Sequence, residues 1–253
     1  MRATVIFACV AALAGCTAAD AQGQPAAPGS ATQRSFPVGS FRSIALGLPH
    51  RLIVRVGGAP SVRAEGDARA LSRIEVRVEN GVLSIGRPRH LQKRRWVDQE
   101  ETGRATIYVT APTLEAAMLG GSGDIHIDRV QGDRFRAAIG GSGNIIIDSL
   151  RVRQADFAIG GSGDIRAAGR AERASISVAG SGDVEAQAME SATANVSVVG
   201  SGDVRTRVAG PATVSIIGSG SVDLGSAARC SVNRRGSGAV RCGTRSDKAA
   251  IYR

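Results

Sequence analysis

Aromatic residues are scarce in this chain of 253 residues, which contains one Trp, two Tyr and five Phe. A core with so few rings must consist of Val, Ile, Leu and Ala, packed in thin and regular layers. Histidine is also rare, at His50, His90 and His126, and neither an HExxH motif nor a paired Cys/His spacing indicates a metal site. The composition favours a repetitive β architecture over a globular enzyme, and it predicts no cofactor and no metal centre.

Lysine is nearly absent too, since Lys93 and Lys248 are the only lysines among 32 basic residues. A formal net charge of +10 favours acidic partners such as lipid headgroups, lipopolysaccharide phosphates, acidic glycans or nucleic acid. A solvated surface that reflects an arginine-rich coding bias is the alternative. Because aromatic platforms are missing and the chain carries an export signal (below), we expect no nucleic-acid partner.

Long hydrophobic runs are missing outside the first residues. The apolar run "ATVIFACVAALAG" follows Arg2, is too short for a permanent membrane helix and is typical of an export signal. It ends in "LAGC", which resembles the lipidation motif of bacterial lipoproteins. We therefore interpret residues 1–15 as a lipoprotein signal peptide and Cys16 as the lipidated residue. Cleavage of an ordinary signal peptide after "ADA", residues 19–21, is the alternative.

Residues 16–35 contain almost no large apolar side chains, and their Ala, Gln, Gly, Pro, Ser and Thr predict a flexible tether. Either processing route exports the protein. With lipidation, we expect it in the cell envelope as an outer-membrane-anchored lipoprotein that faces the periplasm or the surface.

One short motif recurs down the second half of the chain. Gly-Ser-Gly triplets occur seven times at spacings of 18 to 20 residues, and they start at Gly121, Gly141, Gly161, Gly180, Gly200, Gly218 and Gly236. A repeat of this length indicates a solenoid, in which each unit buries its apolar face only against its neighbours. Residues on both sides of each triplet alternate between apolar and small or polar, as in β-strands. The sequence predicts an all-β fold, a right-handed parallel β-solenoid, and leaves open whether each coil has two or three faces.

Three apolar columns are expected to form the core. Counted from the first glycine of a triplet, they stand four before, two before and four after it, as Phe157, Ile159 and Ile165 do in one coil. The position five after it faces outward and carries charges that alternate in sign. We expect these charges to pair between neighbouring coils, at Arg166, Glu185, Arg205, Asp223 and Arg241.

Each triplet and the residue after it are expected to form a corner. Glycine permits the positive φ of a sharp reversal, serine can hydrogen-bond along the stack, and Asp or Asn can accept N–H groups of the turn. The column of carboxylates can alternatively hold cations, but turn capping is the simpler role. The predicted turn-forming residues are Gly121, Ser122, Gly123, Asp124, Gly141, Asn144, Gly161, Asp164, Gly180, Asp183, Gly200 and Asp203.

The segment before the repeats, residues 36–112, also contains alternating strands. Its "VENG" before "VLSI" predicts a tight hairpin turn at Asn80-Gly81. Because a solenoid needs an end cap, this segment is predicted to cap the coils of residues 113–253 while continuing their sheets. We expect a single domain over residues 36–253.

The strands and turns together resemble a known family. "FRSIALGLPHRLIVRVG", "VENGVLSIGR" and "IYVTAPTLEAAMLGGSGDI" follow one another, and recurring "GSGD" turns complete the pattern. In these motifs the chain is similar to the GIN domain, described as a putative autotransporter adhesin head domain of exported bacterial proteins. The resemblance covers nearly all of the chain after Val38. It implies a β-helix-like fold and an adhesive or surface role, and it implies no catalytic residues.

One charged stretch interrupts the regular pattern, "RPRHLQKRRW" from Arg87 to Trp96, and the acidic "DQEE" follows it. Its basic side chains can hold phosphates or a headgroup surface, whereas a solvated and partly neutralised loop is the alternative. We call this stretch the basic segment. The candidate anion-binding residues are Arg87, Arg89, Lys93, Arg94, Arg95 and Trp96.

These features predict a non-enzymatic, envelope-anchored binding or adhesion module. Its ligand is expected to be an anionic surface polymer, such as an acidic glycan or lipopolysaccharide. A structural or stress-related envelope protein without a specific ligand is the first alternative. A polysaccharide-acting β-helix enzyme is the second, and it would need a long projecting loop that the regular repeats lack.

Cys230 and Cys242 lie six positions before and after Gly236, on the inward side of the last coil. An oxidising compartment favours their pairing as a disulfide. Facing sheets stand about 10 Å apart, whereas a disulfide needs Cα atoms roughly 4.4 to 6.8 Å apart. The last coil must therefore narrow for the bond to form.

Lipidation of Cys16 is directly testable. Cells that express the wild type and are fed labelled palmitate are expected to incorporate the label into the protein, whereas Cys16→Ala should carry no label and enter the soluble fraction. An unlabelled wild type would contradict the interpretation.

Overall fold

The computed structural model of the chain describes residues 32–88 and 103–247. Cys16 and five residues of the basic segment (Arg89, Lys93, Arg94, Arg95 and Trp96) lie outside these ranges, so their roles stay predictions. The described ranges contain one short helix and nineteen strands: β1 (Thr32–Phe36), β2 (Ser43–Leu46), β3 (Arg51–Val56), β4 (Ser61–Gly66), α1 (Ala68–Ser72), β5 (Glu75–Glu79), β6 (Val82–Gly86), β7 (Ala105–Ala111), β8 (Ala116–Leu119), β9 (Asp124–Ile127), β10 (Val130–Ile139), β11 (Asn144–Ile159), β12 (Ile165–Gly180), β13 (Val184–Gly200), β14 (Val204–Val208), β15 (Pro211–Gly218), β16 (Val222–Asp223), β17 (Arg229–Arg235), β18 (Val240–Arg241) and β19 (Thr244–Asp247).

Parallel pairing between successive coils builds the repeat region. The residue four positions before each triplet pairs with its equivalent in the next coil, along the ladder Ala137, Phe157, Ile176, Val196, Val214 and Val232. The pairing pattern is that of a β-solenoid of about six turns, with coils about 20 residues apart. The predicted all-β solenoid class is therefore confirmed.

The three predicted apolar columns form the core. All their members are buried, including the bulky side chain of Phe157 and the branched side chains that stack on either side of it. The column four after each triplet is a continuous row of Ile125, Ile145, Ile165, Val184, Val204, Val222 and Val240. Burial of apolar surface in such rows stabilises the fold by about 25 cal/mol per Å². Each apolar side chain is fully covered only when a neighbouring coil packs against it.

The coils that contain β11, β12 and β13 have three straight segments. Burial alternates along β11, but two successive buried residues are three positions apart at Ile147 and Leu150, and again at Val152 and Ala155. Because alternation has a period of two within a straight strand, the chain bends at both places. With the Gly-Ser-Gly corner, these bends divide the outer surface into a first face after the corner, a second face, and a third face before the next corner.

Two constraints explain why glycine occupies the corners: a positive φ at some positions, and the close approach of the backbones of successive coils. Gly200 has φ +129°, and a Cβ atom added there would lie 2.2 Å from the carbonyl oxygen of Gly180 in the preceding coil. Gly202 has no positive φ, yet its added Cβ would also lie 2.2 Å from a carbonyl oxygen, that of Gly182. The predicted need for positive φ therefore applies to only part of the corner, and the spacing between coils accounts for the rest.

The corner serines act through their backbone. The N–H of Ser201 donates to the carbonyl of Gly180 at 3.0 Å, and the N–H of Ser219 donates to Gly200 at 3.0 Å. Their hydroxyl groups are exposed to solvent, and no hydrogen bond along the stack involves them in the described coils. The expectation of a hydroxyl ladder was wrong because the side chains point outward at the corner, where water solvates them.

Asp164, Asp183 and Asp203 each cap the next coil rather than their own turn. The carboxylate of Asp183 accepts the backbone N–H of Asp203 at 2.7 Å, and Asp203 in turn accepts the N–H of Ser221 at 2.9 Å. Nearer the N-terminus, Asn144 donates through Nδ2 to Asp124 of the preceding coil at 2.9 Å. Backbone dipoles and an amide thus separate the stacked carboxylates, and no cluster of three metal-ligating side chains occurs in the part of the chain that the structure describes.

The first and third faces continue into the N-terminal segment. On the first face, β9 pairs with β3, β3 with β7, β7 antiparallel with β4, and β4 antiparallel with β1. On the third face, β8 pairs with β2, β2 with β6, and β6 antiparallel with β5. The predicted hairpin lies at Asn80 and Gly81, whose φ angles are 52° and 75°. In residues 32–88 and 103–247, no helix is long and apolar enough to cross a membrane.

Regular structure begins earlier than the sequence indicated. Strand β1 starts at Thr32, within the segment that was interpreted as tether up to residue 35. Its four first side chains are exposed, so no burial pattern marked it as a strand. Pairing with β4 supplies its backbone hydrogen bonds instead.

The last coil narrows around a disulfide. Cys230 in β17 and Cys242 after β18 are joined, with their Cα atoms 6.3 Å apart. Cys230 is buried and Cys242 packs partly buried against the core. At this end Arg234 stands where earlier coils have an apolar residue, and its guanidinium donates to the carbonyl of Gly238 at 2.7 Å.

The corner spacing predicts that Gly202→Ala is destabilising. The added methyl group would collide with the Gly182 carbonyl, and the resulting shift of one coil should lower the free energy of unfolding by about 1–3 kcal/mol. Ser201→Ala is the matched control, because the exposed hydroxyl it removes makes no hydrogen bond to a described residue. Chemical denaturation measures both variants, and equal stability of the two would contradict the role of close approach.

The disulfide predicts redox-dependent stability. Cys230→Ser/Cys242→Ser should unfold with a free energy lower by about 2–3 kcal/mol, since the bond closes a loop of 12 residues. Reducing agent should destabilise the wild type to the same degree and leave the double variant unchanged. Alkylation of the denatured mature protein without reducing agent should modify neither Cys230 nor Cys242. Modification of both cysteines would contradict the disulfide.

Candidate binding site

The first face carries charged side chains that partly neutralise one another. Arg166 donates to Glu185 of the next coil at 2.6 Å, and this hydrogen bond raises the pKa of Arg166 above its ordinary value. Arg205, however, pairs with Asp203 in its own coil at 2.9 Å. The predicted ladder of alternating charges is therefore only partly formed, because Arg205 pairs with the carboxylate two residues before it instead of with a carboxylate of a neighbouring coil.

A histidine–carboxylate contact also lies on this face. His126 Nε2 is 2.8 Å from Asp148 Oδ2, and about half of each side chain is exposed. The two residues are 22 positions apart, and only the coil register brings them together. Because about half of each side chain is exposed, the pair acts as a surface contact between coils.

Ion pairs and unpaired arginines share the remaining surface. Between coils, Arg153 pairs with Asp133 at 2.7 Å and Arg170 with Glu190 at 3.1 Å. Other exposed arginines form neither an ion pair nor a side-chain hydrogen bond with any residue in the described ranges, and these include Arg51, Arg55, Arg136, Arg151 and Arg173. Arg87, the one described member of the basic segment's candidate residues, is exposed as well.

The third face is uncharged over residues 174–179, 194–199 and 212–217 of three successive coils. Its outward columns consist of hydroxyl and amide side chains, namely Ser175, Ser177, Asn195, Ser197, Thr213 and Ser215. Val199 and Ile217 follow them at the corner edge with 48% and 49% of their surface exposed. This part of the face offers neutral hydrogen-bonding groups.

A step in coil length produces one groove. Ala186 pairs with Thr206 but Glu190 pairs with Arg207, so residues 187–189 have no partners in the shorter coil that follows. The resulting groove has a volume of about 470 Å³. Glu190 and Arg207 lie opposite each other in it, which leaves little net charge for an ionic ligand.

A second groove lies at the N-terminal end of the first face, and we call it the N-terminal groove. Its volume is about 610 Å³, and strands β1, β4, β7 and β3 contribute its lining. Two rows of side chains cross these strands: Ser35, Arg63, Tyr108 and Ile53 in one row, and Ser61, Thr110 and Arg55 in the next. Phe36 and Pro37 close one side, and Pro60 lines it as well.

This groove gathers the accessible aromatic side chains of the described ranges. Phe41, Phe135 and Phe157 are buried in the core, whereas Phe36 and Tyr108 are partly exposed and both line the groove. The guanidinium of Arg63 lies over the Tyr108 ring at 5.1 Å from its centroid. In a chain with so few rings, such a concentration marks the groove as the candidate binding site.

A family model matches residues 40–228, and its description is "Putative auto-transporter adhesin, head GIN domain". The chain belongs to this family. The match spans the N-terminal strands and nearly all the coils, which confirms the resemblance drawn from the sequence motifs. No curated protein matches the chain.

Solved structures share the solenoid. A putative adhesin from Bacteroides fragilis has a TM-score of 0.75 and 22% identity, over 84% of this chain and 96% of that one. A putative lipid binding protein from Parabacteroides distasonis has a TM-score of 0.61 and 18% identity, over 87% and 98% of the two chains. A putative adhesin from Parabacteroides merdae has a TM-score of 0.62 and 16% identity, over 85% and 97%. At these identities the likeness establishes the fold alone.

Proposed function

We propose that the protein is an exported, envelope-associated binding module of the adhesin type that holds an anionic surface polymer and catalyses no reaction. Cys16 would anchor it in the membrane through a lipid. The GIN-domain match supports the adhesin-like role, and the descriptions of two structural neighbours as putative adhesins agree with it.

The proposal of an anionic ligand rests on the unpaired arginines. A guanidinium is always charged and presents several N–H groups in a plane, which suits bidentate contact with carboxylate or phosphate. Arg136, Arg151 and Arg173 have no acceptor among the described residues, so their positive potential is not cancelled locally. Together with the basic segment, they would attract an acidic polymer over roughly the Debye length of about 8–10 Å.

The regular coils argue against enzymatic action. β11, β12 and β13 run for 16, 16 and 17 residues, respectively, and no inserted loop interrupts them. An active site needs a few titratable groups held at one place in a water-excluding pocket, whereas this surface repeats similar side chains from coil to coil. Repetition suits weak contacts multiplied along a polymer.

A structural envelope protein without a ligand is the second candidate. The ion pairs of Arg153 with Asp133 and of Arg166 with Glu185 favour it, because these charged side chains contact neighbouring coils rather than a ligand. The two candidates differ in one measurable property. Only the binding module retains an acidic polymer in a salt-dependent manner.

We expect the mature protein to be retained on lipopolysaccharide or acidic-glycan columns at low salt and released at high salt, because ions screen contacts between exposed charges. Neutralising Arg87, Arg89, Lys93, Arg94 and Arg95 to Gln tests the basic segment. Neutralising Arg136, Arg151 and Arg173 to Gln tests the coil surface.

Each variant should elute at lower salt than the wild type if its region contributes to binding. Unchanged elution of the first variant would remove the basic segment from the proposal. Absence of salt-sensitive retention on every acidic surface would favour the structural candidate.

A further inference from the structure

We propose that the N-terminal groove binds a carboxylated sugar unit of an acidic glycan, with Arg55 and Arg63 holding the carboxylate. This inference rests on the proposed function and gives its polymer a chemical class. The volume of about 610 Å³ lies within the range of about 300–1,000 Å³ that small-ligand sites occupy.

Arg63 is held in place for such a contact. Its guanidinium stacks over the Tyr108 ring at 5.1 Å, and one nitrogen contacts Glu65 at 3.2 Å. These two contacts leave the other N–H groups without an acceptor among the described residues. Stacking on a ring restricts the rotamers of the side chain, so little further entropy is lost when a planar carboxylate binds.

Arg55 supplies a second cation on the other side of the groove. It forms no ion pair with any residue in the described ranges and is exposed. Arg55 lies on β3 and Arg63 on β4, and β7 separates these two strands. At a strand spacing of about 4.8 Å, the two backbones stand about 10 Å apart, so both side chains can reach one ligand between them.

Free hydroxyl groups make the groove suitable for a sugar rather than a bare anion. Ser35, Ser61, Thr110 and Tyr108 line it, and no side-chain hydrogen bond occupies their hydroxyls within the described ranges. A hydroxyl both donates and accepts, which matches the alcohol groups around a pyranose ring. Inorganic phosphate and a lipid headgroup would use the two arginines and leave most of these hydroxyls without partners.

The apolar side of the groove completes the match. Phe36 packs against the core, and Ile53 and Pro60 extend the apolar surface beside it. Sugar rings present C–H groups on their faces, and apolar walls of this kind bury them while the rim groups bind the hydroxyls. Apolar contact, hydroxyl contact and a pair of cations are thus combined at one place on the surface.

The groove is also rigid. β7 lies between β3 and β4, and the short connection between those two strands begins at Gly57, whose N–H donates to the carbonyl of Ala111 at 2.9 Å. A Cβ at Gly58 in this connection would lie 2.9 Å from Thr110 Cγ2, so the connection packs directly on the strand. Because the lining side chains stand on paired strands, binding requires no rearrangement of the backbone.

The test uses the mature protein with trigalacturonate as probe, and titration calorimetry measures its affinity. We expect Arg55→Gln and Arg63→Gln each to weaken binding about ten- to a hundredfold, the range for loss of a charge-assisted hydrogen bond. Tyr108→Ala should weaken it as well. Arg229→Gln is the matched control, since it removes an exposed arginine on β17 that lies outside the groove and has no side-chain partner among the described residues, and it should bind like the wild type.

Three comparisons decide between ligand sources. The carboxyl-reduced trisaccharide should not bind at the same concentration, and neither phosphate nor phosphatidylglycerol vesicles should compete for the groove. Equal binding of the reduced sugar, displacement by the phosphate compounds, or no difference between the groove variants and Arg229→Gln would overturn the inference.

Failure of this inference is distinguishable from failure of the proposed function. If the wild type is retained on acidic polymers but Arg55→Gln is retained equally, the groove is not the site while the module still binds. If the wild type is retained on none of them, the proposed function fails together with the inference. Thermal unfolding of each variant should match the wild type, and Arg55→Gln serves as the decisive variant because Arg55 has no described partner to lose.

Discussion

Backbone atoms of successive corners approach one another so closely that a Cβ at the triplet glycines from Gly141 to Gly238 would lie within 2.3 Å of a carbonyl oxygen. This approach fixes where each coil stands relative to the next. Given that spacing, serine N–H groups reach the preceding carbonyls, carboxylates reach the following N–H groups, and equivalent apolar residues meet in columns. The flat outer faces, and therefore any repeated binding surface, depend on the same contact.

The sequence predicts the elements whose signal repeats. The column from Ile125 to Val240 was predictable because an apolar residue stands at the same position after the triplet in every coil. All members of this column are buried in the structure. Only one of the two reasons for the corner glycines was predictable. Glycine's preference for positive φ follows from the sequence, whereas the close approach of Gly202 to the Gly182 carbonyl is known only from the structure. The partner of Arg205 was not predictable either, because Glu185 and Asp223 stand beside it in the neighbouring coils and only side-chain geometry selects Asp203.

The candidate groove was missed for a different reason. Its lining comes from strands that are separated along the chain, so that Phe36 and Tyr108 meet only after β4 pairs antiparallel with both β1 and β7. The exposed side chains of β1 gave no alternating pattern, and its first residues were interpreted as tether. The scarcity of aromatic residues was the one available signal. It would have directed attention to Tyr108 as a ring that the repetitive core does not use.

The edge of strand β17 has a consequence for how copies of the protein behave toward one another. Residues 233–235 of strand β17 pair with β15 on one side and with no described strand on the other, and Arg234, Arg235 and Arg241 are exposed at or beside this edge. An unpaired strand edge is a template on which a second chain can add and begin a fibre. Pairing of two such edges would bring the arginines of both copies together, so electrostatic repulsion opposes association of two copies through this edge.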